Sequence, residues 1–503
     1  MAGSLSRTRA FSRRTFLTTV VIGGGSAVLA ACSSSPAAPP AAPTTAAAPT
    51  QAAAPTQAPA ATQAAAPTTA AAPTQAPAAA ATPTTAPAQQ PASSAAKVTL
   101  DFWNPWNGKF ENKINGDLVD AYNKQSAKVT VKSTYATDDN HYAKYTTAIA
   151  SGQPPGAIET ANYTQIVEWA SQGFIVNMDD YQKTMGIKQD DYFPVVWQMI
   201  NFHGHLWGFL QEFDFNLLAW NKDLFQSAGL DPNTPPKTMD ELDQYAAKLT
   251  TKDSSGALKT LGFCPWVSGS ELMWSATWGG KYYDPSADKW TVVTDANIAT
   301  FEWYLKYVKL LGGPDKVTTF TKLFTGGQSP FYAGQSAIDA VGEWVPINLP
   351  DRAPKLKYAV GYPPTGSGVP YGTNQTDGGN VFLLPKGASN PDASMDFLSW
   401  MAGPQAVLQW NVGVNNIPPV KSVALGDAFV KQVPLMKTWI DLLKEDKMVP
   451  AATSPITAFF TDALSNARDE IIFGKMTPKD ALTDLQSKVD SEVQTFKSSH
   501  PNW

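Results

Sequence analysis

The sequence predicts an α/β protein with two lobes. Short runs in which apolar and polar residues alternate are followed by segments whose apolar residues recur every three or four positions. For example, the alternating run at 129–131 precedes Tyr142, Tyr145 and Ile149, which have helical spacing. This order of strands and helices is typical of a mostly parallel sheet flanked by helices. In addition, residues 98–503 form a segment longer than one hydrophobic core usually supports, which favours two lobes.

The first predicted strand covers 98–103, and a loop rich in Pro and Gly follows it over 104–108. Ile114, Leu118 and Tyr122 then recur at four-residue spacing and predict a helix with one buried face. The alternating run at 129–131 predicts a second strand.

A brief third strand is predicted at 157–160, after a turn that contains Gly152 and Gly156. The helix that begins near Thr164 is expected to end at Gly173, because glycine readily adopts the left-handed conformation that closes helices.

Helix starts are well marked in the second half of the chain. Thr238 and Glu241 have the spacing of a capping box. Pro391 and Pro478 each follow a residue suited to the cap and stand at a first helical position. We expect the apolar stripe behind each of these starts to lie in the core.

Residues 1–31 predict an export signal. Arg13 and Arg14 precede an apolar run over 16–31 that is shorter than the ~20 residues a spanning helix needs. Paired arginines before such a run indicate twin-arginine export in bacteria. The small residues directly before Cys32 resemble the box of bacterial lipoproteins, whose cysteine is acylated and becomes the new N-terminus. An uncleaved anchor helix is the alternative.

Residues 32–97 predict a disordered tether. Beyond Cys32 the segment is almost wholly Ala, Pro, Thr and Gln, with some Ser and no charge before Lys97. It has no aromatic side chain to bury, so it cannot offset the entropy of ordering. We expect no chemistry there.

Charge and cysteine content exclude several classes. The chain has 38 basic and 43 acidic residues, and loss of residues 1–31 would remove four arginines, leaving a net charge of about −9. That balance argues against nucleic acid or an anionic membrane surface as the ligand. With Cys32 committed to lipid, Cys264 has no partner for a disulfide, and we expect it to be a buried apolar group.

An ordered set of motifs resembles the extracellular solute-binding proteins of carbohydrate ABC importers, in particular the family 1 type that includes maltose-binding proteins. The resemblance covers nearly all of residues 98–497. Its motifs lie, in family order, at 100–108, 168–179, 204–210, 218–225, 228–242, 331–337, 342–344 and 416–419.

The resemblance implies a periplasmic-binding-protein-like fold of type II, with a hinge between two mixed sheets flanked by helices. Lobe 1 would comprise 98–212 with 378–420, and lobe 2 would comprise 213–377 with 421–503. The chain would cross the hinge near 211–214, near 371–379 and shortly after Val420.

A sugar site needs flat aromatic faces for apolar C–H groups and planar polar groups for hydroxyls. Open α/β sheets bind ligands at the carboxyl ends of their strands. Strand-end positions make Trp106, Asn107, Asn162, Tyr163 and Trp266 candidate ligand-binding residues. The resemblance adds Glu212 and Asp214 in the first hinge crossing and Gly379 and Asn380 at the second. It also adds Trp344, whose motif resembles the one that carries the family's stacking tryptophan. Core positions for the aromatic residues, and hinge capping for Glu212 and Asp214, remain alternatives.

The resemblance implies a non-catalytic receptor on the extracytoplasmic face of the membrane, anchored through lipid on Cys32. It would bind a sugar or oligosaccharide between the lobes and deliver it to the permease subunits of an ABC importer. We expect a monomer without a cofactor. His203 and His205 flank a glycine on an exposed hairpin, which makes a poor metal site, and no metal is expected.

Two other functions stay open. A secreted carbohydrate-active hydrolase would also combine acids with tryptophans, although the sequence contains no recognisable catalytic signature. A receptor for a solute other than a sugar would share the same fold. A surface scaffolding module would tolerate the tether but would not account for the motifs.

Overall fold

The computed structural model describes residues 97–136, 141–160, 164–376, 378–501 and 503. The export signal, Cys32 and the tether up to residue 96 therefore lie outside the described residues, as do the candidate site residues Asn162 and Tyr163.

The strands are β1 Val98–Asn104, β2 Val129–Tyr135, β3 Ala157–Thr160, β4 Asn201–Phe202, β5 His205–Leu206, β6 Phe209–Leu210, β7 Leu217–Asn221, β8 Thr251–Lys252, β9 Leu258–Thr260, β10 Tyr283–Asp284, β11 Lys289–Trp290, β12 Ile338–Val341, β13 Tyr358–Gly361, β14 Asn374–Gln375, β15 Val381–Leu383 and β16 Met448–Val449. The helices are α1 Lys109–Gln125, α2 His141–Ala150, α3 Thr164–Ser171, α4 Asp179–Met185, α5 Pro194–Ile200, α6 Lys222–Ser227, α7 Met239–Leu249, α8 Glu271–Thr277, α9 Asp295–Leu311, α10 Pro314–Thr321, α11 Val345–Arg352, α12 Pro391–Met401, α13 Pro404–Val414, α14 Lys421–Ala424, α15 Asp427–Val430, α16 Lys437–Lys444, α17 Thr457–Ile472 and α18 Pro478–Ser499.

The larger sheet has the strand order β2-β1-β3-β15-β6. Strand β1 runs parallel to β2 and to β3, whereas β15 is antiparallel to β3 and to β6. The sheet is therefore mixed, and its parallel half carries the strand–helix alternation predicted for residues 98–173. Strand β15 begins at Val381, long after β6 ends at Leu210, and the strands between them in the chain belong to other sheets, so the chain must cross back.

The smaller sheet has the order β12-β7-β13, and both pairs are antiparallel. The segment that follows β9 runs parallel to the start of β12, where the Ile338 amide donates to the Gly262 carbonyl at 3.0 Å. The smaller sheet therefore also combines parallel and antiparallel pairing.

The predicted helix starts are confirmed. Thr238 Oγ1 accepts the Glu241 amide at 3.1 Å, and Glu241 reaches back to the Thr238 amide, which completes the capping box. Helices α12 and α18 begin at Pro391 and Pro478. Gly173 adopts a φ of 68° two residues after the end of α3.

The sheets and helices pack around two hydrophobic cores. The first surrounds the larger sheet and includes Phe102, Trp169 and Phe382. The second packs α7, α9, α17 and α18 together and includes the buried thiol of Cys264. Burial of large aromatic side chains gives each core its main stabilisation.

Three backbone segments run side by side between the two sheets. The Phe213 amide donates to the Ile417 carbonyl and the Asp214 amide to the Gly378 carbonyl, each at 3.0 Å. Thr376 Oγ1 donates to the Asp214 carbonyl at 3.0 Å. We call these segments, 211–216, 374–380 without Asp377, and 415–417, the crossing segments.

Within the described ranges, no helix combines the length and apolarity needed to span a bilayer. The longest, α18, has a polar outer face over most of its length.

Gly379 makes the closest approach in the crossing segments. A Cβ atom there would lie 2.4 Å from the Glu212 carbonyl oxygen. We therefore expect Gly379→Ala to lower the free energy of unfolding by about 1–3 kcal/mol, the usual cost of overpacking. Gly116 is the matched control, because it lies on the exposed face of α1 with nothing within 4 Å of an added Cβ. Gly116→Ala should stabilise by up to ~1 kcal/mol. Denaturant unfolding that finds Gly379→Ala as stable as the parent would contradict this packing.

Candidate functional site

Four acidic residues gather where the two sheets meet. Glu159 lies in β3, Glu212 and Asp214 lie in the first crossing segment, and Glu343 follows β12. Glu159 and Glu343 are fully buried, and Glu212 is 4 % exposed. None of the ion pairs among the described residues involves any of the four. We call them the acid cluster.

Trp106 is held beside Glu159 by the pairing of their strands. Strand β1 pairs with β3 through Trp103 and Ile158, which brings the loop after β1 next to Glu159. Trp106 Nε1 donates to Glu159 Oε1 at 2.6 Å. Asn112, in α1, donates to the Trp106 carbonyl at 3.2 Å and steadies the loop.

Trp410, in α13, holds Glu212 in the corresponding way. Its Nε1 donates to Glu212 Oε2 at 2.6 Å, while Asn380 Nδ2 donates to Glu212 Oε1. The Trp410 and Trp106 rings lie 5.5 Å apart between centroids and are tilted by 50°. Two indoles in contact thus each donate to a different buried carboxyl group.

Asp214 and Glu343 are neighbouring buried acids, and each affects the pKa of the other. Burial raises the pKa of Glu343 well above its usual range, and the charge of Asp214 raises it further. Burial also raises the pKa of Asp214, and its interaction with Glu343 opposes that rise. Both carboxyl oxygens of Glu343 and Oδ1 of Asp214 are buried without a hydrogen-bond partner among the described residues. Two adjacent buried charges would repel each other, so the neutral form of Glu343 is favoured.

Burial raises the pKa of Glu159 to about 8, and the hydrogen bond from Trp106 limits the rise. Burial also raises the pKa of Glu212 well above normal, and the charge of Asp214 adds to the effect, while the Trp410 bond opposes it. Burial therefore favours the neutral form of these acids, and a protonated carboxyl can donate as well as accept.

Further polar atoms around the cluster are buried without a protein partner. They are Glu159 Oε2, both side-chain heteroatoms of Gln211, and the Oδ1 atoms of Asn411 and Asn416. Most buried polar atoms in proteins are hydrogen-bonded. Atoms of this kind, gathered beside two indoles, suit a ligand that presents several hydroxyl groups.

The structure brings together half of the predicted site residues. Trp106, Glu212, Asp214 and Asn380 belong to the acid cluster or contact it directly, and Gly379 packs its backbone against Glu212. Glycine at 379 leaves room for that approach.

Three other predicted site residues are placed differently. Asn107 is exposed and donates to Tyr135 Oη at 2.6 Å. Trp266 is half-buried against the second core, 6.3 Å from the Tyr304 ring. Trp344 directly follows Glu343 and is half-buried, with its ring folded so closely over Gly342 that a Cβ there would lie 2.3 Å from it.

Sequence reasoning missed Glu159, Glu343 and Trp410 as site residues. Glu343 lies in the motif at 342–344, where the aromatic Trp344 is the more obvious sugar-binding side chain. Glu159 offered a signal, because a glutamate inside a short buried strand needs a special partner. Trp410 offered none, since it occupies an apolar position of a helix stripe with Val407 and Val414.

The histidine hairpin lies apart from the acid cluster. His203 and Gly204 both have positive φ at the turn between β4 and β5, and His205 Nδ1 lies 2.5 Å from Asp179 Oδ2. Within the ranges described, no three His, Cys, Asp or Glu side chains are grouped so as to hold a metal ion.

Comparison with known proteins identifies the family. Residues 117–438, more than half of the chain, match the family of bacterial extracellular solute-binding proteins. The chain belongs to this family. Members are binding proteins that act outside the cytoplasm, in keeping with the predicted export signal. One relative of this solute-binding protein is the sn-glycerol-3-phosphate-binding periplasmic protein UgpB of Pectobacterium atrosepticum, 26 % identical over 65 % of this chain and 74 % of the relative.

Solved structures show the same two-lobed type II fold. CpMnBP1, solved with mannotriose bound, aligns at a TM-score of 0.69 and 28 % identity, over 78 % of this chain and 99 % of that one. The sugar-binding protein MalE of Xanthomonas citri aligns at 0.66 and 18 % identity, over 81 % and 100 %. The predicted fold class is confirmed, whereas the residue boundaries of the lobes remain a prediction.

The raised pKa of Glu159 predicts how the stability of this solute-binding protein depends on pH. An unfolded glutamate loses its proton near 4.5, whereas the folded protein keeps it up to about 8. Between these values the native state binds more protons, so stability falls as pH rises.

Glu159→Gln should make the melting temperature fall less between about pH 5 and about pH 8. Glu302→Gln, at an exposed position of α9, is the control and should leave the slope unchanged. An unaltered slope in Glu159→Gln would show that Glu159 is ionised throughout.

Proposed function

We propose that this protein is a receptor that binds a neutral sugar or oligosaccharide at the acid cluster and delivers it to an ABC import permease. The supporting observation is the arrangement of four carboxyl groups, two indoles and three side-chain amide oxygens without a protein partner at the junction of the sheets. Carboxyl and amide groups bond sugar hydroxyls, and indole faces cover apolar C–H surfaces.

The charge of the site argues against a phosphorylated solute, although UgpB relatives bind one by name. Among the described residues, no Lys or Arg forms an ion pair with a member of the acid cluster. The short segments 137–140 and 161–163, which follow β2 and β3, also contain neither residue. A phosphate dianion beside these acids would lose its hydration with no cationic partner to compensate.

The likeness to CpMnBP1 supports mannose oligosaccharides as the first ligands to test. That protein was solved with mannotriose and with mannobiose, and it matches this chain at 28 % and 27 % identity. A glycan of several rings would use the indole of Trp106 as well as the acids.

The N-terminal features complete the proposal. Twin-arginine export would deliver a folded protein, and acylation of Cys32 would anchor it to the extracytoplasmic face of the membrane. Residues 32–97 would then act as a leash between membrane and receptor. The receptor would work as a monomer, without cofactor and without catalysis.

A hydrolase is the alternative that the site itself raises, because a glutamate with a raised pKa beside a second carboxyl group can act as a general acid. Incubation with mannotriose followed by chromatography separates the two functions. Release of mannose or mannobiose would indicate an enzyme and overturn the receptor proposal.

Binding of mannotriose should raise the melting temperature and give a calorimetric dissociation constant, whereas sn-glycerol 3-phosphate should do neither. Trp106→Ala should weaken mannotriose binding by about 1–3 kcal/mol, because it removes a stacking face and the donor to Glu159. Asn107→Ala is the neighbouring control and should bind normally, since Asn107 is exposed and bonds Tyr135 instead. Tight binding of the phosphate, or a larger loss in Asn107→Ala than in Trp106→Ala, would contradict the proposed site.

A further inference from the structure

The tail after α18 connects the two hydrophobic cores. Helix α18 buries Leu482, Leu485 and Val489 in the second core. Four residues after the helix ends, Trp503 packs against the first core instead. Helix α18 thus packs in the second core, whereas the large side chain that follows it packs against the first.

Trp503 occupies a slot on the hairpin formed by β4 and β5. Its ring lies 4.8 Å from the His203 ring, nearly parallel at 30°, and 5.8 Å from the Trp207 ring. The Phe202 ring is 6.5 Å away. Aromatic pairs at these distances attract one another beyond the area that they bury.

Both sides of this contact are held in place by their own neighbours. On the hairpin, Phe202 and Trp207 stack at 5.7 Å and 15°, and Trp207 Nε1 donates to the Phe202 carbonyl at 3.1 Å. At the end of α18, His500 stacks on Phe496 at 4.4 Å. The Trp503 amide donates to the His500 carbonyl at 3.2 Å, which directs the tail toward the hairpin.

The hairpin also faces elements of the second core beside this contact. Phe202, His203 and Gly204 line a cavity of about 290 Å³ together with Tyr283, which belongs to the second core. The hairpin and the second-core elements are therefore neighbours over more than the single Trp503 contact.

We propose that Trp503 is a clasp that links the tail of α18 to the β4–β5 hairpin and biases the protein toward the arrangement in which its two lobes are together. The crossing segments connect the lobes covalently and permit them to move, whereas the clasp is broken whenever the hairpin and the tail separate. A contact made in only one of two conformations shifts the population toward that conformation. The ligand then needs to supply less of the free energy of closure.

The test is Trp503→Ala in the full chain, measured by small-angle scattering without ligand and by calorimetry with mannotriose. The radius of gyration should rise, and mannotriose affinity should fall about two- to tenfold, the factor an aromatic contact of this kind is worth. Trp503→Phe should restore most of both values. A Trp503→Ala protein with the radius of gyration of the parent would overturn the proposal, even if mannotriose does not bind.

Trp400→Ala is the matched control. Trp400 is also half-buried and packs within the first core alone, 5.7 Å from Tyr122. Its removal should lower the melting temperature without changing the radius of gyration. If both alanine variants expand the protein equally, the expansion reflects general loosening and the clasp is refuted.

Discussion

Burial of carboxyl groups without a cationic counter-charge is the constraint on which the rest of this structure depends. An ionised carboxylate taken out of water costs several kcal/mol unless it is paired or strongly hydrogen-bonded. Glu159 and Glu212 each receive an indole N–H, from Trp106 and Trp410 respectively. For Asp214 and Glu343, burial raises both pKa values and so favours the neutral form, which lowers the cost. The site is stable because donors and protons, rather than cations, compensate the acids.

This constraint links the site to the hinge. Glu212 and Asp214 lie in a crossing segment whose backbone is bonded to Gly378 and Ile417, so the acids are positioned by the same strands that join the lobes. Asn415 Nδ2 donates to the Glu343 carbonyl at 2.8 Å and ties the end of β12 to the third crossing segment. A ligand that bonds the acids consequently contacts the hinge directly, and its binding free energy can be used to favour closure.

Local signals in the sequence predicted much of the fold, and long-range partners explain what they missed. The capping box at Thr238, the proline starts of α12 and α18 and the strand–helix order of residues 98–173 depend on neighbours within a few positions. Trp410, by contrast, donates to a carboxyl group 198 residues earlier in the chain. Nothing near Trp410 distinguishes it from a core tryptophan. Asn107 and Trp266 are the opposite case, in which a sequence signal predicted a site residue that lies elsewhere. Both follow a strand, but that position alone did not bring them to the acid cluster.

Hydrogen–deuterium exchange with and without mannotriose tests the central claim most directly, since it locates binding without substituting any residue. The acid cluster joins β3, the crossing segments and the turn after β12, so bound ligand should protect backbone amides at 157–160, 211–216, 341–345 and 410–417 together. Protection confined to one lobe, or to the surface around Asn107 and Tyr135, would contradict a site built on the buried acids.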